Sequence, residues 1–150
     1  MSRVHTQGFS LIELILVLGL IGVVALFTVP LTIDSLSRSA VSQERDLFVS
    51  LLLRGARAAA LANLNEKSHG IQIDNTNHQY ILFEGTTYTP GAATNRIIPY
   101  TNSTISISGG PKILFEQLSG DVTTGAGTIN ITNGAKTNTI IIASTGQIDW

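Results

Sequence analysis

The sequence predicts an α+β chain, with a long N-terminal α-helix, its first half transmembrane, packed on a C-terminal antiparallel β-sheet domain. Three observations predict it. An uncharged apolar run follows Glu13, from Leu14 to Leu31. Apolar residues then recur near helical spacing as far as Ala62. From Gly70 onward, short alternating runs are separated by turns rich in Gly, Asn and Pro. The chain accordingly divides into a polar leader over residues 1–8, an apolar helix over 9–31, an amphipathic helix over 32–65 and a β-rich domain over 66–150.

The apolar helix is long enough to cross a bilayer. At ~1.5 Å per residue, Phe9 to Ile33 would span ~37 Å, against a hydrocarbon core of ~30 Å. Gly8-Phe9-Ser10-Leu11-Ile12-Glu13 opens it and places one carboxylate just inside the apolar segment. A carboxylate at the bilayer centre costs roughly 2.5–3.5 kcal/mol, and less near a helix end. Glu13 could snorkel to the surface of a simple anchor. An anchor with no partner for it would gain from Leu there, which favours a functional charge. Gly19 and Gly22 are small residues where another helix could approach, or where the helix faces lipid. Pro30 removes a helical hydrogen bond and should kink or loosen the helix at its exit.

In the second stretch Ile33, Leu36, Ala40, Leu47, Leu51, Ala58 and Ala62 can line one face, which Phe48 and Leu52 widen. Its charges are mixed: Asp34, Glu44 and Asp46 against Arg38, Arg45, Arg54 and Arg57. Arg54 and Arg57 lie one turn apart and read as a solvated face. Asn63 and Asn65, then His69-Gly70, end the helix.

The third stretch reads as strands. Ile71 and Ile73 alternate with polar residues, and Asn75-Thr76-Asn77 turns the chain into Gln79–Phe83. Glu84 to Pro99 is loop-like. Ile105 and Ile107 alternate with Ser, and Gly109-Gly110-Pro111 breaks the run before Lys112–Phe115. Strands at Thr128–Thr132 and Thr139–Ala143 flank Asn133-Gly134 in a connection longer than a minimal hairpin, and a short strand follows Gly146.

The polar leader, Gly8-Phe9 and Glu13 together resemble the class III signal of type IV pilins and of the pseudopilins of type II secretion. In an ordinary secretory signal, cleavage follows the apolar region. Here the cleavage point precedes it, so the helix stays on the mature protein. The resemblance implies that a prepilin peptidase cuts between Gly8 and Phe9 and methylates the new amine of Phe9. It implies that Glu13 neutralises the N-terminal amine of a neighbouring subunit during assembly, and that the segment at Pro30 melts locally in the filament. Arg57–Ala62, Ile113-Leu114-Phe115, the Gly-rich turn through Gly120, Gly125 and Gly127, Thr128–Ile131 and Ile140–Ile148 resemble the GspH/FimT group of minor pilins. The implied partners are other pilins or pseudopilins through the helix, the prepilin peptidase, an assembly-platform membrane protein and the membrane itself. The implied location is the bacterial inner membrane, single-pass with the globular domain outside the cytoplasm, then a pilus or pseudopilus.

Composition narrows the classes. The 150 residues carry a formal charge of −1, and losing Arg3 with the leader would take it to −2, before the new amine is counted. No basic field exists to attract nucleic acid, and the chain ends Gly146-Gln147-Ile148-Asp149-Trp150, where DNA-binding members of the group carry basic residues. DNA binding is therefore not expected. With no cysteine there is neither a disulfide framework nor a thiolate zinc site. His69 and His78 flank turns and read as solvated. Asp74, Glu84, Glu116 and Asp121 show no spacing that pairs them, and Asp121 lacks the run of oxygen ligands of a calcium loop. No nucleotide loop or serine elbow is present, and neither a metal nor another cofactor is implied. The expectation is a structural subunit rather than an enzyme. The alternative is a DNA-uptake or adhesive minor pilin, with the loop Thr86–Asn95 and Tyr88, Tyr100 and Trp150 as a ligand surface. Which machine the subunit serves is left open.

Overall fold

The computed structural model describes residues 10–150, with the side chains of 26–37 outside the description. Contacts divide the chain into two compact units, the first ending at Leu36 and the second covering Ser37–Trp150. Helix α1 (Leu11–Asp46) begins in the first. Ser10 opens it, its carbonyl accepting the amides of Glu13 and Leu14 at 3.0 and 3.2 Å. From Leu11 to Val24 the large apolar side chains point in every direction and are all exposed, from 46% at Val17 to 76% at Leu11. A helix apolar all round belongs in lipid or against other helices, not in water. Among the described residues no helix is long and apolar enough to cross a membrane; the span expected over residues 9–31 lies only partly within them. The kink expected at Pro30 falls in the stretch outside the described side chains.

In the second unit the helix does not stay regular. A π-helical segment at Leu47–Leu53 separates α1 from α2 (Arg54–Leu61). Its wider i→i+5 turn accommodates an extra residue, and two adjacent pairs, Phe48-Val49 and Leu52-Leu53, are buried together. The core-facing residues are Val41, Glu44, Phe48, Val49, Leu52, Leu53, Ala56 and Ala60. The face expected from spacing holds only in part: Phe48 and Leu52 are buried and Leu47 packs against the core, but Leu51 is 53% exposed and Ala58 and Ala62 lie at the surface, while the side chains of Ile33 and Leu36 lie outside the description. Apolar residues flank the true stripe on both sides, so periodicity fixes the helix better than its phase, and the π segment shifts that phase midway. Asn63, at φ +54°, takes the left-handed conformation that stops the helix, which Asn tolerates better than most residues.

Nine strands follow, all antiparallel: β1 (His69–Asp74), β2 (Gln79–Glu84), β3 (Arg96–Pro99), β4 (Ser106–Ser108), β5 (Lys112–Phe115), β6 (Val122–Thr124), β7 (Gly127–Thr132), β8 (Thr137–Ile142) and β9 (Ile148–Asp149). They form two sheets, ordered β3-β2-β1-β5-β6 and β4-β7-β8-β9. The α+β class thus stands, with two sheets sharing one core. Ile71, Ile73, Tyr80, Ile113 and Phe115 from the first sheet meet Ile107, Ile129, Ile131, Ile140 and Ile142 from the second around the helix. The glycines manage the crossing. At Gly125 (φ +86°) a Cβ would lie 2.1 Å from the Lys112 carbonyl oxygen, so only glycine lets β6 pass this close before the chain enters β7.

The first sheet has a second apolar layer on its other face. Gly70 pairs with Phe83 and Leu114, which puts all three on one side. A Cβ at Gly70 would sit 2.3 Å from the Phe83 ring. Tyr88, from the connection between β2 and β3, packs on Phe83 at 5.7 Å between centroids. That connection therefore covers a face that would otherwise leave Ile81 and Phe83 in water.

The turn between β1 and β2 is built on Asp74. Its Oδ1 accepts the amides of Thr76 and Asn77, and its Oδ2 accepts the side-chain amides of Asn77 and Gln79, at 2.8–3.2 Å. The Asn77 side-chain bond is the main cause holding the Asp74 carboxyl below its ordinary value of 3.8. The stability this confers is fully present above that ordinary value and is lost as pH falls through the lower folded one. Asp74→Asn should therefore flatten the loss of folded protein below about pH 4 in an acid titration followed by circular dichroism. An unchanged acid limb would count against this role.

Candidate functional site

Two carboxylates stand out once the fold is on the page, in opposite environments. Glu13 is in the first turn of α1, exposed among exposed apolar neighbours. An acid there is favoured by the helix N-terminus, where unpaired amides carry partial positive charge. Gly8 and Phe9 lie outside the described residues.

Glu44 is fully buried. It lies three residues after Val41 and four before Phe48, so the helix carries it straight into the core. Its Oε1 accepts the Tyr80 hydroxyl at 2.6 Å, and its Oε2 accepts the Thr101 amide at 2.7 Å and hydroxyl at 2.5 Å. Burial first, and the bond to Glu44 second, push the Tyr80 hydroxyl far above the ordinary tyrosine range, so it stays a donor. Tyr80 stacks between Phe48 and Tyr100, at 5.2 and 4.6 Å. The Tyr100 hydroxyl, raised mainly by burial and then by the Glu44 charge, donates to Asn75 Oδ1 at 3.0 Å. Asn75 in turn bonds both the amide and the carbonyl of Ile107 in β4. Two hydrogen-bonded groups, joined through the Tyr80–Tyr100 ring contact, thus link the helix, the first sheet and the second. In the sequence Glu44 stands only as one charge of a mixed stretch. Its place between Val41, Phe48 and Leu52 was the signal that it faces inward.

The remaining candidates resolve differently from expectation. Arg54 and Arg57 are not merely a solvated face. Arg57 donates to the carbonyls of Gly120 and Thr145 at 3.4 and 3.2 Å, and the Arg54 guanidinium sits 4.5 Å over the Trp150 ring. They clamp the C-terminal turn, where Gly146 (φ +75°) leaves no room for a Cβ, which would lie 2.2 Å from the Gly120 oxygen. Nor is His69 solvated: it is 7% exposed, with Nε2 2.9 Å from the Leu64 carbonyl oxygen. His78 sits edge-on to Tyr100 at 5.8 Å. Tyr100 is buried and cannot form part of a ligand surface, whereas Trp150 is half exposed. The four carboxylates weighed for catalysis do not converge. Asp74 holds its turn, and Glu84 accepts from Asn65 at 2.8 Å with Lys67 4.0 Å away. The Asp121 main chain pairs with that of Glu116. Among the described residues no group of three or more His, Asp or Glu could hold a metal ion.

Comparison with known proteins gives one match. Residues 3–29 fit the family model of the prokaryotic N-terminal methylation motif. No curated protein and no solved structure matches the chain. The match covers Gly8, Phe9 and Glu13 and ends before the second unit begins.

The buried cluster makes a quantitative expectation. Glu44→Ala leaves the Tyr80 hydroxyl and the Thr101 amide without an acceptor in the core, and should cost about 3 kcal/mol. Tyr80→Phe removes one donor while the Thr101 bonds persist, and should cost about 1 kcal/mol. Urea unfolding of the full chain in detergent, followed by near-ultraviolet circular dichroism, measures both. A Glu44→Ala loss below that of Tyr80→Phe would show that the cluster does not bear on the fold as described.

Proposed function

We propose that this chain, a type IV pilin-like protein by its N-terminal methylation motif, is a minor pilin or pseudopilin whose work is filament assembly. The motif supports processing by prepilin peptidase and assembly with other pilins. The observation that carries the reading is the matched segment 3–29, which spans Gly8, Phe9 and Glu13 and runs into a helix whose apolar side chains from Leu11 to Val24 are exposed.

In this reading the peptidase cuts between Gly8 and Phe9 and methylates the Phe9 amine. The helix first holds the precursor in the inner membrane by a single pass, with the β-domain outside the cytoplasm. An assembly-platform protein then moves it into a pilus or pseudopilus, where helices bury their apolar sides on one another. Such burial contributes roughly 25 cal/mol per Å² for surface leaving water, and less for surface leaving lipid. Glu13 sets the register: docked in step it meets the amine of a neighbouring Phe9, and out of step it is an unpaired charge in an apolar setting. Loosening at Pro30 lets the helix adapt to the filament. The C-terminal pattern supports the GspH/FimT type, and the machine is a type II secretion system or a surface pilus.

Nucleic acid is not a partner in this reading. The basic residues nearest the C-terminal turn, Arg54 and Arg57, are engaged with Trp150 and with main-chain carbonyls. Non-specific DNA affinity needs several cations free to neutralise phosphates. A mobility-shift titration of the full chain in detergent should show no salt-sensitive DNA shift near physiological ionic strength, and a shift that collapses with salt would contradict this.

The assembly role has its own test in Glu13→Leu. The variant should insert and lose its leader at the wild-type rate, while its share in sheared filaments falls by about tenfold, the effect of losing ~1.4 kcal/mol at one contact. Undiminished incorporation would exclude Glu13 as the register device.

A further inference from the structure

Beside the β1–β2 turn, on the face of the first sheet away from the shared core, a cleft of about 510 Å³ opens under the β2–β3 connection. That size lies within the ~300–1,000 Å³ of small-ligand sites. Ile81 and Ile97 pair across β2 and β3 and line it. Ile97 is 60% exposed, an apolar surface left uncovered between polar walls. Tyr88 forms another part of the lining, its ring held against Phe83. The polar residues lining it include Asn77, Gln79 and Asn95.

These amides are held in place before any ligand arrives. Asp74 accepts one N–H from the side chain of Asn77 and one from that of Gln79, and Asn95 donates to the Thr89 carbonyl at 2.8 Å. Each of the three side chains keeps its carbonyl oxygen and a second N–H for another partner. Asp74 itself receives four N–H donors, two on each oxygen, so its charge is answered inside the turn. Among the described residues neither Lys nor Arg lines the cleft. The lining is therefore amide and apolar, with an aromatic ring and no free charge.

We propose that this cleft binds a neutral pyranose sugar. One apolar ring face packs on Tyr88 and Ile97, and adjacent hydroxyls bond the fixed amides of Asn77, Gln79 and Asn95. A primary amide offers a donor and an acceptor side by side, which matches two neighbouring hydroxyls. Amides already held by Asp74 and Thr89 lose less freedom on binding than free ones. Phosphate-bearing ligands gain nothing from a cleft without cations. The inference goes beyond the assembly role and stands whether or not Glu13 sets register.

The test is saturation-transfer NMR on the full chain in a detergent with no sugar headgroup. The probes are the methyl glycosides of glucose, galactose, mannose and N-acetylglucosamine, with glucuronic acid beside them. At least one neutral glycoside should bind. Asn77→Ala should weaken it by about tenfold, Tyr88→Ala by as much, and Tyr88→Phe by less than about threefold, as for the loss of one well-placed contact in each case. Thr139→Ala, on the second sheet, should leave it unchanged. Asn77 is exposed in its turn, so its variant decides the matter even if Tyr88→Ala fails to fold. Binding by none of the four, binding indifferent to Asn77→Ala, or preference for the uronic acid would overturn the proposal.

Discussion

Glu44 carries a carboxyl group into the place where helix, first sheet and second sheet meet, and no cationic partner meets it among the described residues. Its carboxylate is satisfied instead by three donors from two segments far apart in sequence, the Tyr80 hydroxyl and the amide and hydroxyl of Thr101. An unpaired carboxylate in that position would be strongly destabilising, so the helix can dock only where those donors are. The aromatic stack of Phe48, Tyr80 and Tyr100, and the Asn75 link to β4, build outward from the same point. An apolar residue at position 44 could pack in several rotations, whereas a carboxylate with fixed donors accepts one.

That constraint matters because the helix surface alone is a poor guide. Ala, Leu and Val occur on nearly every side from Val49 to Ala62, and the π segment rotates the stripe partway along. The polar cluster sets the angle at one end. Ala60, whose carbonyl accepts the Leu118 amide at 2.9 Å, and Arg57, bonded to Gly120 and Thr145, set it at the other. Between them, small residues let the sheets approach closely.

The same contrast explains what could be read from sequence. The helix end at Asn63, the turns at Asn75–Asn77 and Asn133-Gly134, and most strands were legible, because they depend on local chemistry. Strand β3 was not, since Pro99 and a polar lead-in resemble loop; at the sheet edge a proline costs no interior ladder bond. Strand β6 is three residues long and shows no period. The division into two sheets was also hidden, because it rests on long-range pairings such as β1 with β5 and β4 with β7. His69, Arg54 and Arg57 read as solvated, and Glu44 as one charge of a mixed stretch, because the partners of Glu44, Arg54 and Arg57 lie far away in sequence, Thr145 being 88 residues from Arg57. The N-terminal methylation motif was legible over residues 3–29, being contiguous and defined by residue type alone.

Those two kinds of information divide the molecule's work. In the proposed function a contiguous N-terminal motif addresses the chain to its machinery, while a long-range polar cluster fixes the docking of helix and sheets. The first carries the functional account, and it makes a claim about covalent structure. Mass spectrometry of the chain recovered from its native host reads it directly. The account predicts an N-terminal peptide that begins at Phe9 and carries one methyl group on its amine. A chain that still begins with residues 1–8, in a host whose other pilins are processed, would contradict it.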